Sequence, residues 1–495
     1  MEKYAKYVLF GAIMAICAVF IAGCSSDAAM DNMISRPSPS APPYGQDPQY
    51  PENSDEYEEI MENDFISAGE TPESYFALNI NTASYSIIRR SINDNVKIYK
   101  DQVLVEEMLN YFTFDYPVPE SGDILTLSGT VTPCPWNQEA HLLSIGIKTE
   151  EVEMSAIDNN LVFLIDVSGS MYGADRLELV QQAFMLLTEN LNASDRVSVV
   201  TYASGVRVIL DGAMGYEKKK INAVIEDLTA GGSTAGADGI QRAYQQAEKY
   251  FMKDGNNRVI LATDGDFNVG ISSPQELDNF ISAKRKTGIY LSVLGFGMGN
   301  HKNNRMETLA NCGNGNFAYI DTIAEARKVL IEEAGGTLKT VANDAKAMVS
   351  FNADYVDKYR QIGYENRRLT AEDWENAEKD SGELGAGRCI SAVYEVIFKN
   401  NATQATGPFI TAAVRFKVPE TGEDREIGAS ISAISSPGTD VKFISALVES
   451  ALLMRDSKYK GSASIDAVIV RLESLNLTDE YKLEFLALMK KYKGQ

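Results

Sequence analysis

Apolar positions in residues 158–337 fall in short unbroken blocks separated by longer stretches of helical spacing. The blocks at 161–166, 196–203, 206–210, 258–263, 290–296 and 316–320 are rich in Val, Ile and Leu and do not alternate with polar residues. Such blocks read as strands buried on both faces, as in a parallel sheet covered by helices on each side. Between and after them, 176–190, 217–228, 236–251, 274–286, 304–311 and 323–334 repeat apolar residues with helical period. The close pair within 196–210 supplies one antiparallel edge. The pattern predicts an α/β domain with a doubly wound, mostly parallel, Rossmann-like sheet.

The flanks read differently. Residues 71–157 suggest a strand at 74–80, helices at 82–92 and 103–112, and strands at 125–132 and 141–148. Residues 338–435 return to strands, at 345–351, 359–366, 391–398 and 410–416, and residues 436–495 are amphipathic helices. Neither flank shows a complete core of its own. They are therefore predicted to pair into one β-rich domain, with the α/β domain inserted and helices at the carboxyl end.

At the amino terminus, Lys3 and Lys6 precede an uncharged apolar run from Tyr7 to Ile21 and then Ala22-Gly23-Cys24. Residues 1–23 read as a secretory signal peptide, with an uncleaved anchor as the competing reading. Cys24 after Ile21-Ala22-Gly23 resembles a bacterial lipobox, in which that cysteine is lipidated. Either reading ties the chain to a membrane and exposes it outside the cytoplasm, in the periplasm or at the cell surface. Residues 24–70 hold many Pro and Ser and are acidic, with Arg36 the single base. They are expected to form a disordered tether.

The net charge is −23, which argues against nucleic acid as a partner. Cys134, Cys312 and Cys389 form no disulfide framework and are expected to be buried. With only two histidines, His141 and His301, a zinc site of the usual kind is not expected.

The richest local signal is Leu161-Val162-Phe163-Leu164-Ile165-Asp166-Val167-Ser168-Gly169-Ser170. A buried strand ends in Asp-x-Ser-x-Ser, where open α/β sheets bind ligands. Three oxygen-bearing side chains spaced two apart can converge on one point, and hard divalent cations take oxygen ligands. Thr234 in Gly231-Gly232-Ser233-Thr234 and Asp264 in Thr263-Asp264-Gly265 add two more donors. Taken singly, each piece has a plainer reading: a strand-end turn, a helix N-cap, a turn dipeptide.

Together, in this order, they resemble the metal-ion-dependent adhesion site of von Willebrand factor type A (VWA) domains. Asn81-Thr82-Ala83-Ser84-Tyr85, Cys134-Pro135-Trp136-Asn137 and Ile362-Gly363-Tyr364-Glu365-Asn366-Arg367 are similar to a family of bacterial lipoproteins that carry such a domain. The resemblance spans residue 70 to the end. It implies that Ser168, Ser170 and Thr234 offer hydroxyls to the metal, while Asp166 and Asp264 act largely through coordinated water. Neutral ligands leave the cation electron-poor, so it accepts a Glu or Asp from a protein partner. Mg²⁺ is expected, with Mn²⁺ or Ca²⁺ as alternatives. The expected function is a lipid-anchored binding protein, with a scaffold role in an envelope complex as the alternative. Enzyme function is not expected, because Ser168 and Ser170 lack a Gly-x-Ser-x-Gly elbow and no phosphate-binding Gly-Lys-Ser/Thr loop is present.

Overall fold

The structure is a computed structural model that describes residues 57, 59–78, 80–152, 157–233, 236–265, 274–297, 303–377, 379, 381–402, 406–419 and 421–495. Cys24, the signal segment, most of the expected tether, Thr234 and His301 lie outside the described residues. Among the described residues, no helix is long and apolar enough to cross a membrane.

The strand Asn159–Asp166 is buried along its whole length. Successive side chains point to opposite faces of a sheet. Leu161, Phe163 and Ile165 pack with Val180, Phe184 and Leu187 on one side. Val162 and Leu164 pack with Ile240, Tyr244 and Ile281 on the other. Both faces are covered by helices, and for that reason the block carries no polar alternation. The strand is central in a six-stranded sheet, flanked in parallel by Asn256–Thr263 and Arg196–Tyr202. Ile289–Gly295 and Phe317–Tyr319 continue in parallel beyond Asn256–Thr263, and Val206–Met214 closes the other edge antiparallel. This is the doubly wound fold that the apolar pattern predicts.

One helix departs from expectation. Over 323–334 the chain is α-helical at Ile323–Arg327, takes a π turn at Lys328–Glu332, and resumes at Ala334–Leu338. The Glu333 amide donates to the Lys328 carbonyl five residues back. A single extra residue in one turn barely alters apolar spacing, so periodicity alone does not reveal it.

The flanking segments build two further sheets. One joins Ile66–Ser67, Val356–Ile362, Cys389–Phe398, His141–Thr149 and Leu125–Pro133. The other joins Arg368–Leu369, Glu73–Ala77, Thr340–Phe351, Ile410–Lys417 and Asp424–Ile431, with Gly382–Gly385 beside Thr340–Phe351. Tyr75 therefore pairs with Met348, and Gly146 with Ser391. Leu143, Ile145, Ile147, Phe76, Val349 and Tyr394 fill the space between the sheets. Leu142 and Val393 point the other way, against the carboxyl-terminal helices Thr439–Met454, Ile465–Glu473 and Glu480–Lys493 and the helix α1 (Ala83–Asp94). The α/β domain is thus inserted into a β-rich domain completed by helices. Cys134 and Cys389 are buried; Cys312 is half-buried.

The expected tether gives way to folded chain before residue 70. Ile60 and Ala68 are buried, Ile66–Ser67 pairs with Val356–Ile362, and Asn63 donates to the carbonyls of Gln361 (3.3 Å) and Gly363 (3.2 Å). The acidic composition of this stretch hides its few apolar anchors. A chain beginning at residue 71 is expected to be less stable than one beginning at residue 57 by about 2–5 kcal/mol, from lost apolar burial and strand hydrogen bonds. Differential scanning calorimetry of the two chains checks this.

Candidate metal centre

The parallel strands end together at one edge of the sheet. Ile165 pairs with Ala262, so Asp166 emerges beside Thr263 and close to Asp264. The Thr263 hydroxyl lies 3.4 Å from Asp166 Oδ2 as a donor. Beyond Asp166 the chain folds back sharply. The Ser168 amide donates to Asp166 Oδ1 at 2.8 Å, and a tight turn at Gly169–Met171 follows. That turn brings Ser168 Oγ and Ser170 Oγ within 2.9 Å of each other. Asp166, Ser168 and Asp264 are buried, and Ser170 is half-buried, so the cluster opens toward solvent on the Ser170 side.

The loop at 231–233 is fastened to this turn. The Gly169 amide donates to the Gly232 carbonyl at 3.0 Å, and the Gly231 amide to the Val167 carbonyl at 2.8 Å. Gly232 has φ +93°, and a Cβ there would come within 2.5 Å of Ser204 Oγ, so this position demands glycine. Ser204 in turn accepts the Ser233 amide at 3.0 Å. Of the five predicted site residues, the structure brings together Asp166, Ser168, Ser170 and Asp264. The fifth, Thr234, follows this fastened loop and is outside the described residues.

Burial is the main force on Asp166 and pushes its carboxyl up to about 6, with the charge of Asp264 adding to the shift and the Ser168 hydrogen bonds opposing it. Tyr202, the register partner of Asp166, is fully buried against it. Its phenol is held well above the usual range, first by burial and then by the Asp166 charge. Among the described residues, the groups that act most strongly on Asp166 are Ser168, Asp264 and Tyr202, none of them cationic. Two carboxylates and two hydroxyls gathered in one half-open place fit a hard divalent cation. Among the described residues no group of three or more His, Cys, Asp or Glu is placed to hold a metal, so a centre here depends on hydroxyl oxygens. His141 stands elsewhere, at the start of a strand of the β-rich domain, with its ring edge-on to Phe398.

Three supporting residues escaped the motif reading: Tyr202 under Asp166, Ser204 under the 231–233 loop, and Arg90, which reaches the same rim from α1. Tyr202 is accessible in principle, as the last residue but one of the next apolar block. Ser204 and Arg90 carry no local signal.

A doubly wound sheet with this strand-end cluster defines a protein of the VWA-domain class. The family description "von Willebrand factor type A domain" matches residues 160–332, "von Willebrand factor" matches 51–144, and "Uncharacterized protein YfbK, C-terminal" matches 336–494. "Uncharacterized protein YfbK" of Escherichia coli (strain K12) is 35% identical over 464 residues, covering 88% of this chain and 80% of that protein. The chain belongs to the YfbK family. Among solved structures, von Willebrand factor type A from Catenulispora acidiphila shares 15% identity at TM-score 0.41, covering 74% of this chain and 88% of that one. Proximal thread matrix protein 1 from the mussel byssus, with a zinc-occupied MIDAS motif, shares 21% identity at TM-score 0.31, covering 38% and 46%.

The raised carboxyl of Asp166 sets a test of stability. An aspartate whose folded value lies near 6, against an unfolded value near 3.8, opposes folding above pH 6 and is relieved as pH falls toward 4. The penalty in the metal-free protein is at most about 3 kcal/mol. With chelator present, Asp166→Asn is expected to raise Tm by a few degrees at pH 7.5 and by less at pH 5. Thermal unfolding at both pH values checks the sign.

Proposed function

We propose that this chain is a binding protein that uses a divalent cation at Asp166, Ser168, Ser170, Thr234 and Asp264 to engage an acidic residue of a protein ligand. The observation that carries the reading is the convergence of Asp166, Ser168 and Ser170 at the end of the central strand. Ser168 and Ser170 would supply hydroxyl oxygens to the metal, with Asp166 and Asp264 behind them as charge balance and hydrogen-bond acceptors for bound water. When bound, the cation supplies an electrophilic coordination position facing solvent, which a carboxylate from a partner can fill. Mg²⁺ is the expected ion, with Mn²⁺ or Ca²⁺ as alternatives. The role is binding rather than catalysis, and VWA domains point in the same direction, toward protein interaction or adhesion.

The reading extends to location. Lipidation at Cys24, argued from Ile21-Ala22-Gly23-Cys24, would hold the protein on a membrane outside the cytoplasm, with the proline-rich acidic segment as its tether.

Calorimetric titration of the chain with Mg²⁺ and Mn²⁺ is expected to show one site, and Asp166→Ala to lose it. Because Asp166 must be ionised to support the metal, affinity should fall as pH drops through about 6. Equal binding by parent and variant, or none by either, overturns the metal reading. Separately, Cys24→Ser is expected to abolish incorporation of labelled fatty acid and to move the protein out of the membrane fraction. Retention of label in Cys24→Ser overturns lipidation at that residue.

A further inference from the structure

The rim of the candidate centre is held by a residue from outside the VWA domain. Helix α1 belongs to the amino-terminal flank, yet Arg90 reaches Asp175 Oδ2 at 2.6 Å and the Tyr319 hydroxyl at 2.7 Å. Asp175 lies on the loop that carries Ser168 and Ser170. Its carbonyl accepts the Gly297 amide at 3.1 Å. The Tyr319 hydroxyl donates to the Gly297 carbonyl at 2.8 Å. Arg90 therefore closes a ring of hydrogen bonds through Asp175, Gly297 and Tyr319.

This ring spans the two halves of the centre. One half is the Ser168–Ser170 turn, which leads into Asp175. The other is the strand end at Thr263 and Asp264, which is fastened to the Gly297 loop by the Phe296 amide donating to the Thr263 carbonyl at 2.9 Å. The loop is packed closely on the first half as well. Gly297 has φ +71°, and a Cβ there would run into the Arg176 side chain. Arg90 is mostly buried, with 16% of its side chain exposed against 38% for Asp175. Among the described residues, it also contacts the exposed carboxylate of Asp94, at 3.3 Å on its own helix. The adjacent Arg89 fixes α1 independently, through Asp321, Glu325 and Glu484. The arginine that reaches the rim is thus presented by a helix whose position is set elsewhere.

We propose that Arg90 is a positioning residue for the metal centre. By docking α1 against Asp175 and Tyr319, it sets the spacing between the Ser168–Ser170 turn and the Asp264 strand end, and so the affinity for a divalent cation. The amino-terminal flank then helps to shape the VWA site rather than only displaying it. This rests on the metal reading above and adds to it the element that tunes the site.

The test is Mn²⁺ titration of the full chain and of its Arg90→Ala, Arg90→Lys, Asp175→Asn and Arg90→Ala/Asp175→Asn variants, with Tm in chelator recorded for each. Arg90→Ala and Asp175→Asn are each expected to weaken Mn²⁺ binding about tenfold, the low end of what partners behind a metal ligand cost. The double variant should be no weaker than either single one, since both break one ring. Arg90→Lys, which keeps the charge but loses the planar two-sided fork, should fall between parent and Arg90→Ala. Affinity of Arg90→Ala within twofold of the parent, or losses that simply add in the double variant, overturns the proposal. Where Arg90→Ala does not fold, Asp175→Asn and Arg90→Lys decide by the same twofold criterion. Failure of the parent itself to bind Mn²⁺ overturns the metal reading, and this inference with it. A parent that binds beside unshifted variants overturns this inference alone.

Discussion

Arg89 is a buried cation at the point where four segments of the chain meet. Its guanidinium donates to Asp321 at 2.5 Å, Glu325 at 2.7 Å and Glu484 at 3.1 Å, and to the Tyr111 hydroxyl at 2.8 Å. Asp321 and Glu325 belong to the end of the VWA domain, Glu484 to the last helix, and Tyr111 to the segment after α1. Taking such charges out of water costs several kcal/mol per ion, and mutual attraction repays it only when every partner is in place. Asp321 and Glu325 are almost completely buried, so the cluster tolerates one arrangement of the four segments. Lys328 supports it from the π turn, with its ammonium over the rings of Tyr111 and Tyr481 at 4.8 and 4.3 Å. The inserted domain is therefore seated by matched buried charges as well as by its two peptide connections.

A second polar junction works beside the first. Arg455 and Glu365 pair at 2.7 Å with both side chains buried, and Arg367 pairs with Glu307 of the VWA domain. Glu106 and Glu107 are buried between them. Burial pushes their carboxyls up to about 7 and about 8, with neighbouring glutamates adding to the effect. Glu106 accepts the Tyr364 amide at 3.0 Å and Glu107 the Ser84 amide at 2.9 Å. These acids satisfy backbone donors from distant segments. They specify how the pieces fit, at a cost in stability that the surrounding apolar packing offsets.

Much of this architecture is readable from local pattern, and the rest is hidden for physical reasons. The VWA strands are visible because burial on both faces removes polar alternation. Asp166, Ser168 and Ser170 are visible because one turn gathers residues two apart. Asp264 is visible because it follows another apolar block. Strands of two to four residues, such as Ile66–Ser67, Arg368–Leu369 and Gly382–Gly385, are too short to show a period. Asp424–Ile431 is an edge strand with one face largely exposed, so its polar residues read as turn. The pairing of Tyr75 with Met348 leaves no trace in either segment, because register depends on contacts made only after both have folded. Arg90 looks like an ordinary helical surface residue until α1 is placed.

The discontinuous sheets also impose an order on folding. Every residue needed for the VWA sheet lies between Asn159 and Tyr319, whereas the strand at Glu73–Ala77 waits for Thr340–Phe351, and His141–Thr149 waits for Cys389–Phe398. When the chain emerges from its amino end, the inserted domain can condense while Glu73–Ala77 is unpaired and the hairpin of Leu125–Pro133 and His141–Thr149 still has an open edge. Contacts of long sequence separation form slowly, and unpaired strand edges invite association in the meantime. The acidic residues crowded before Glu73 would then keep neighbouring nascent chains apart during that interval, by like-charge repulsion.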